Sequence, residues 1–177
     1  FALNTATVTI TGLPDTVTYG QEFILAASQT GDTGTSGKWS WDCNQEYFKL
    51  VESNANTKTI TLQAIKAGTP SKGITATYES GTHKGSATVN AVVEKKEVTV
   101  SGITAENKEY DGGTTATVNA SGATITGIVS GDSLTITATG TFADADVGNG
   151  KAVNLTLGAL SGASAGNYKL AASGNQT

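Results

Sequence analysis

Arginine and methionine are absent from this 177-residue chain, and cysteine and histidine occur once each, at Cys43 and His83. A single cysteine excludes an internal disulfide and a thiolate zinc cluster, and a single histidine excludes a histidine-rich metal site. With no arginine, a net charge of −4 and an isoelectric point near 4.9, the chain is not expected to hold a phosphate backbone, so nucleic acid is excluded as a partner. Apolar runs are short. None approaches the roughly 20 residues of a membrane span, so no membrane insertion is expected, and the first residues do not read as a signal peptide. Phe1 and the motif-free tail Ser173–Thr177 read as cut from a longer protein.

What is abundant is glycine, at 22 positions, and threonine, at 30. The apolar residues recur at every second position, with threonine, serine or lysine between them, the period of a half-buried strand. In the first half Ala6/Val8/Ile10, Phe48/Leu50, Ile60/Leu62/Ala64, Ile74/Ala76/Tyr78 and Ala87/Val89/Ala91/Val93 follow this rule. Trp39, Trp41 and Cys43 point one way from a strand whose other face carries Lys38, Ser40, Asp42 and Asn44. The unbroken run from Phe23 to Ala27 predicts a central strand buried on both faces, with a short helix left open. About seven strands are expected before residue 93, separated by turn-rich stretches at Gly31–Gly37, Ser53–Asn56 and Glu79–Gly85.

In the second half the strands are Val98/Val100, Ala116/Val118/Ala120, Leu134/Ile136/Ala138 and Val153/Leu155/Leu157. Their connections combine glycine with Asp, Asn or Ser, residues that tolerate positive φ. No window carries helical spacing with start and stop signals. The expected class is all-β, in two tandem domains, 1–95 and 96–177. The boundary is placed at Glu94–Glu97, where eight aromatics lie before and three after and the net charge divides as −1 and −3. A joint of four charged residues without glycine or proline is expected to restrict the angle between the domains.

Several motifs invite chemistry and have plainer readings. Gly162-Ala163-Ser164-Ala165-Gly166 fits a nucleophile elbow, but no helix follows and His83 lies in the other domain, so a small-residue turn is preferred. Gly31–Lys38 has the wrong spacing for a phosphate loop, and Trp39 stands where a magnesium-binding hydroxyl belongs. Asp144 and Asp146, two residues apart before Gly148, are a calcium candidate that lacks the closing glutamate; an Asp/Gly hairpin turn is the alternative. Trp39 and Trp41 are a sugar-stacking platform if exposed and a sandwich core if buried, with Trp41 near an edge. Cys43 reads as a small buried apolar residue, and Gln45 gives no recognisable thioester pattern. Lys108 is the lysine to examine for an isopeptide crosslink. Sequons stand at Asn119, Asn154 and Asn175.

The order Val98-Thr99-Val100, Lys108-Glu109-Tyr110-Asp111-Gly112-Gly113-Thr114-Thr115-Ala116, Gly131-Asp132, Phe142-Ala143-Asp144-Ala145-Asp146-Val147-Gly148 and Leu160–Leu170 with Asn167-Tyr168 resembles the YDG-type repeat of bacterial surface proteins. Gly113 stands where many relatives have threonine, and Ser164 where they have an acid. The first domain is similar, more loosely, to bacterial Ig-like domains, on Ile65-Lys66-Ala67-Gly68-Thr69 followed by Ile74–Tyr78 and a closing valine-rich strand. In Tyr110-Asp111-Gly112 the structural reading has Asp111 bonding its own backbone, Gly112 at positive φ and Tyr110 packing over one end of the sandwich; a ligand site there is the alternative.

The resemblance implies an Ig-like sandwich followed by a YDG-type β-domain in a secreted or wall-attached bacterial protein. The expectation is a non-catalytic spacer without cofactor or metal, a monomer whose partners are the adjacent modules. The alternative function is binding of a host glycan or protein through the Gly31–Gly37 loop or an exposed Trp41.

Overall fold

The computed structural model describes all residues except Phe1, Thr35, Asn54, Ala55, Gly174, Asn175 and Thr177. The sequon at Asn175 therefore lies outside the described residues, as do Thr35 within the Gly31–Gly37 stretch and the two central residues of Ser53–Asn56. Among the described residues the chain is all-β, with one 3-10 turn and no α-helix, and no helix is long and apolar enough to cross a membrane. It divides into two compact units, Phe1–Lys95 and Lys96–Thr177.

The first unit runs β1 (Asn4–Thr5), β2 (Thr7–Thr11), β3 (Val17–Thr18), β4 (Glu22–Thr30), β5 (Lys38–Asp42), β6 (Phe48–Glu52), β7 (Thr59–Ala64), β8 (Ile74–Glu79), β9 (His83–Val89) and β10 (Val93–Glu94). Two four-stranded sheets result, ordered β1-β9-β8-β5 and β2-β4-β7-β6, while β3 and β10 form a short parallel pair. The chain changes sheets at Ala6, whose N–H donates to the carbonyl of Lys84 at 2.9 Å. Alternation places Ala27 of one sheet against Trp39, Ala76 and Tyr78 of the other, in one buried cluster with Ala6. Leu25, Leu62, Ala64, Ile74 and Ala76 are fully buried. Burying a side chain the size of Leu or Ile contributes about 1.5–3 kcal/mol each before the entropy of ordering is charged against it. Trp39 stacks on its cross-strand partner Tyr78, with ring centroids 5.1 Å apart, and Phe23 meets Phe48 edge-on at 6.0 Å.

Three sequence expectations need correction. The Phe23–Ala27 run is a central strand, but it is not buried on both faces: Phe23, Leu25 and Ala27 are buried while Ile24 is 59% exposed. The outer face of this strand leaves Ile24 open to water, so alternation prevails over the continuous apolar run. Ala87–Val93 is not one strand, because β9 ends at Val89 and Val93 restarts as β10 beside Val17. Ala116/Val118/Ala120 likewise divides between two strands that pair with different partners.

The second unit runs β11 (Lys96–Ser101), β12 (Thr104–Ala105), β13 (Thr115–Ala116), β14 (Val118–Asn119), β15 (Thr124–Thr126), β16 (Thr135–Phe142), β17 (Val153–Ser161), the 3-10 turn Ala165–Asn167 and β18 (Tyr168–Leu170). Its sheets are ordered β15-β11-β18, β12-β14 and β13-β16-β17. The β16–β17 hairpin is the longest ladder and shifts register between Ile136 and Ala138. Val100, Ile103 and Ile136 form the buried centre, ringed by half-buried residues that include Val118, Ile125, Leu155, Leu157 and Leu160.

Candidate functional site

In each unit an aspartate gathers hydroxyl donors. Asp32 leaves β4 on the Gly31–Gly37 loop, and its side chain is 6% exposed. Tyr78 Oη donates to its Oδ2 at 2.9 Å and Ser80 Oγ at 2.7 Å, while the Gly34 N–H donates to Oδ1 at 2.8 Å. His83 Nδ1 lies 3.6 Å from Oδ1 and 2.9 Å from Thr82 Oγ1. The Ser80 hydroxyl first, then the Gly34 N–H, hold the Asp32 carboxyl below its usual range, against partial desolvation. Burial first, then its hydrogen bond to the Asp32 carboxylate, pushes the Tyr78 phenol up.

Serine, histidine and aspartate meet here, yet the order is wrong for nucleophilic catalysis. That chemistry places the imidazole between hydroxyl and carboxylate, so that the base takes the hydroxyl proton. In this unit the carboxylate occupies the middle, with Ser80 donating to it directly. The effect is to fasten a loop to the β8–β9 hairpin.

Asp132, just before β16, gathers hydroxyls in the second unit. Ser164 Oγ donates to Oδ1 at 2.7 Å and Tyr168 Oη to Oδ2 at 2.5 Å, and Tyr168 Oη in turn accepts the Val129 N–H at 2.9 Å. Tyr168 is 3% exposed. The serine of the elbow-like Gly162–Gly166 stretch is therefore hydrogen-bonded to a carboxylate rather than an imidazole, at the N-cap of a 3-10 turn that leads into a strand. Both clusters escaped the sequence reading. Asp32 is 46 residues from Tyr78 and Asp132 is 36 from Tyr168, so no local spacing marks them. Gly131-Asp132 and Asn167-Tyr168 were visible only as pieces of a motif.

The residues singled out in sequence fall as follows. Trp39 is buried at 7% exposure. Trp41, on the same face, is half-buried, and its indole N–H donates to the Thr57 carbonyl at 3.2 Å. Cys43 is buried, and burial first, then the Asp42 carboxylate, pushes its thiol up, away from the reactive thiolate. Asp111 Oδ1 accepts the Gly113 N–H at 2.8 Å, and Gly112 has a φ of 77°, the left-handed turn that glycine adopts freely. Tyr110 does not pack over the end of a sandwich. It is 70% exposed and lines a surface groove. Lys108 Nζ lies 2.8 Å from Asp111 Oδ1 and donates to the carbonyls of Gly113 and Thr115. Its ammonium first, then the Gly113 N–H, hold the Asp111 carboxyl low.

Between Asp144 and Asp146, where calcium was a candidate, lies an ammonium. Lys151 Nζ pairs with Asp144 Oδ1 and donates to the Asp146 carbonyl. The Asp146 N–H closes the turn on Asp144 Oδ1 at 2.8 Å. Among the described residues no group of three or more His, Cys, Asp or Glu side chains is placed to hold a metal. Asn119 is engaged in its own turn, accepting from the Ser121 N–H and hydroxyl. Asn154 is exposed on β17.

A groove of about 690 Å³ separates the loop 105–113 from the turn 142–153, and Tyr110, Val147 and both Lys–Asp pairs line it.

Residues 94–176, nearly all of the second unit, match the family model described as the YDG domain. No curated protein and no solved structure matches the chain.

Proposed function

We propose, from the premise of a YDG domain at 94–176, that this chain is a pair of non-catalytic β-modules acting as a spacer in a bacterial cell-surface or secreted adhesin-like protein. The first module is read as an Ig-like sandwich. Two four-stranded sheets facing across one core support this, as does a tryptophan on β5 packed against the residues of the opposite sheet. The partners are adjacent modules of the same protein, outside the cell.

One observation carries the spacer reading. The two clusters that bring hydroxyls to carboxylates, at Asp32 and Asp132, are both spent on fastening loops to strands. A module that holds separation needs such internal ties, whereas a serine nucleophile of the triad type needs its hydroxyl to face an imidazole. The alternative, recognition of a host glycan or protein through Gly31–Gly37 or Trp41, has less support. Asp32 pins the described part of that loop, and the Trp41 indole N–H is already engaged.

Pulling the chain by its ends in a force spectrometer tests the proposal. Two discrete unfolding steps are expected, with extensions of roughly 330 Å and 290 Å for 95 and 82 residues at about 3.5 Å per residue. Smooth extension without discrete steps would contradict a spacer role.

A further inference from the structure

Of the large apolar side chains among the described residues, Tyr110 and Val147 are the most open to water, at 70% and 79% exposure. They stand in the same groove of the second unit. Its walls also carry five carboxylates (Glu106, Glu109, Asp111, Asp144, Asp146) against two ammoniums, Lys108 and Lys151, a net charge of −3. That equals the net charge of the whole unit, four lysines against seven acids. Both lysines are already committed, Lys108 to Asp111 and Lys151 to Asp144. Glu106, Glu109 and Asp146 are left facing the groove without an ion pair among the described residues.

The first unit shows what such a surface holds. There Glu46 and Tyr47 are adjacent in sequence. Lys66 Nζ pairs with the Glu46 carboxylate and sits 5.1 Å over the centroid of the Tyr47 ring. Glu109 and Tyr110 repeat the same adjacent pair in the second unit, and among the described residues no ammonium lies over Tyr110. An aromatic face beside a carboxylate attracts a cation through the ring quadrupole and the charge together. An apolar neighbour such as Val147 suits the methylene stem of a long basic side chain.

We propose that this groove docks a lysine- or arginine-bearing segment of a partner protein, its cation over Tyr110 and beside Glu109, its stem against Val147. The site is independent of the spacer reading, since a spacer and a ligand-bearing domain would both present it.

The test titrates the ¹⁵N-labelled full chain with an acetylated, amidated Lys-Ala-Lys-Ala-Lys peptide at low salt, with the glutamate counterpart as control. Saturable shifts confined to amides of 105–113 and 142–153 are expected, absent with the glutamate peptide and largely lost at 0.3 M salt. Tyr110→Ala should weaken binding by about two- to five-fold and Glu109→Gln by a similar factor, since exposed cation–π and ion-pair contacts are of that size. Both positions lie on an exposed turn, so the variants' own amide spectra verify that they are folded. Three outcomes overturn the proposal. Tyr110→Ala binds like the parent chain; the shifts spread over acidic surface in both units; or calcium chloride alone reproduces the shifts and displaces the peptide.

Discussion

Replacing Tyr168 by phenylalanine removes one oxygen from the second unit and leaves the ring in place. That oxygen donates to Asp132 at 2.5 Å and accepts the Val129 N–H at 2.9 Å, on a residue 3% exposed. A hydrogen bond to a charged group contributes about 1.5–3 kcal/mol, and a partly buried N–H left without its acceptor adds a desolvation cost of about 1 kcal/mol. The expected loss is therefore about 2–4 kcal/mol. A unit of 82 residues has roughly 4–12 kcal/mol in total, so the loss is a large fraction of it. At about 4–8 °C per kcal/mol for a domain of this size, the melting point should fall by roughly 8–30 °C. The chain supplies its own control, since both tryptophans lie in the first unit. Tryptophan fluorescence reports only 1–95, whereas far-ultraviolet dichroism reports both units. The variant should move one dichroism transition and leave the fluorescence transition where it was. A loss under about 0.5 kcal/mol, or an equal shift of the fluorescence transition, would refute the reasoning. Tyr110→Phe, on an exposed turn, should change stability by less than about 0.5 kcal/mol.

Gly85→Ala should destabilise the first unit by about 2 kcal/mol or more, measured by urea unfolding followed through fluorescence, because the new Cβ would stand 2.0 Å from the Ala6 carbonyl oxygen where the chain changes sheets. The Asp32 carboxyl is held low in the folded state, so its contribution is complete above the unfolded value of about 3.9 and is lost as pH falls through the folded one. The fluorescence-detected urea midpoint should thus drop between pH 5 and 3, and Asp32→Asn should flatten that drop; an unchanged pH profile in the variant would remove Asp32 from the account. Cys43 should react with a disulfide reagent only at the rate at which the first unit opens, and a fast reaction in native buffer would contradict its burial. Millimolar calcium should leave both melting transitions unmoved, because Lys151 already neutralises Asp144; a rise reversed by chelator would show that the ion displaces the lysine.

Period-2 alternation made most strands legible, since in a pleated chain the burial pattern is the sequence pattern. Ile60, Leu62, Ala64, Ile74, Ala76 and Tyr78 are buried where alternation puts them. Two of the two-residue strands were not legible. Asn4–Thr5 and Thr104–Ala105 carry no inward apolar pair and exist only because a neighbouring strand accepts them. Ile24 misled because an apolar side chain on an uncovered sheet face looks, in sequence, like one facing a second layer. Tyr110 misled for a related reason, an aromatic read as core by its size although its turn leaves it in water. The aspartate clusters were hidden because their members meet through tertiary pairing, which no spacing rule records. The YDG resemblance, by contrast, was legible from motif pieces spread between Val98 and Leu170, a span that lies within the family match at 94–176.

The central claim is that each unit is a self-contained β-module whose polar clusters serve its own cohesion. Separate expression of 1–95 and 96–177, each followed by calorimetry, tests it most directly. Each half is expected to be folded and β-rich by dichroism and to unfold in one cooperative transition. Failure of either half to show such a transition would contradict the claim.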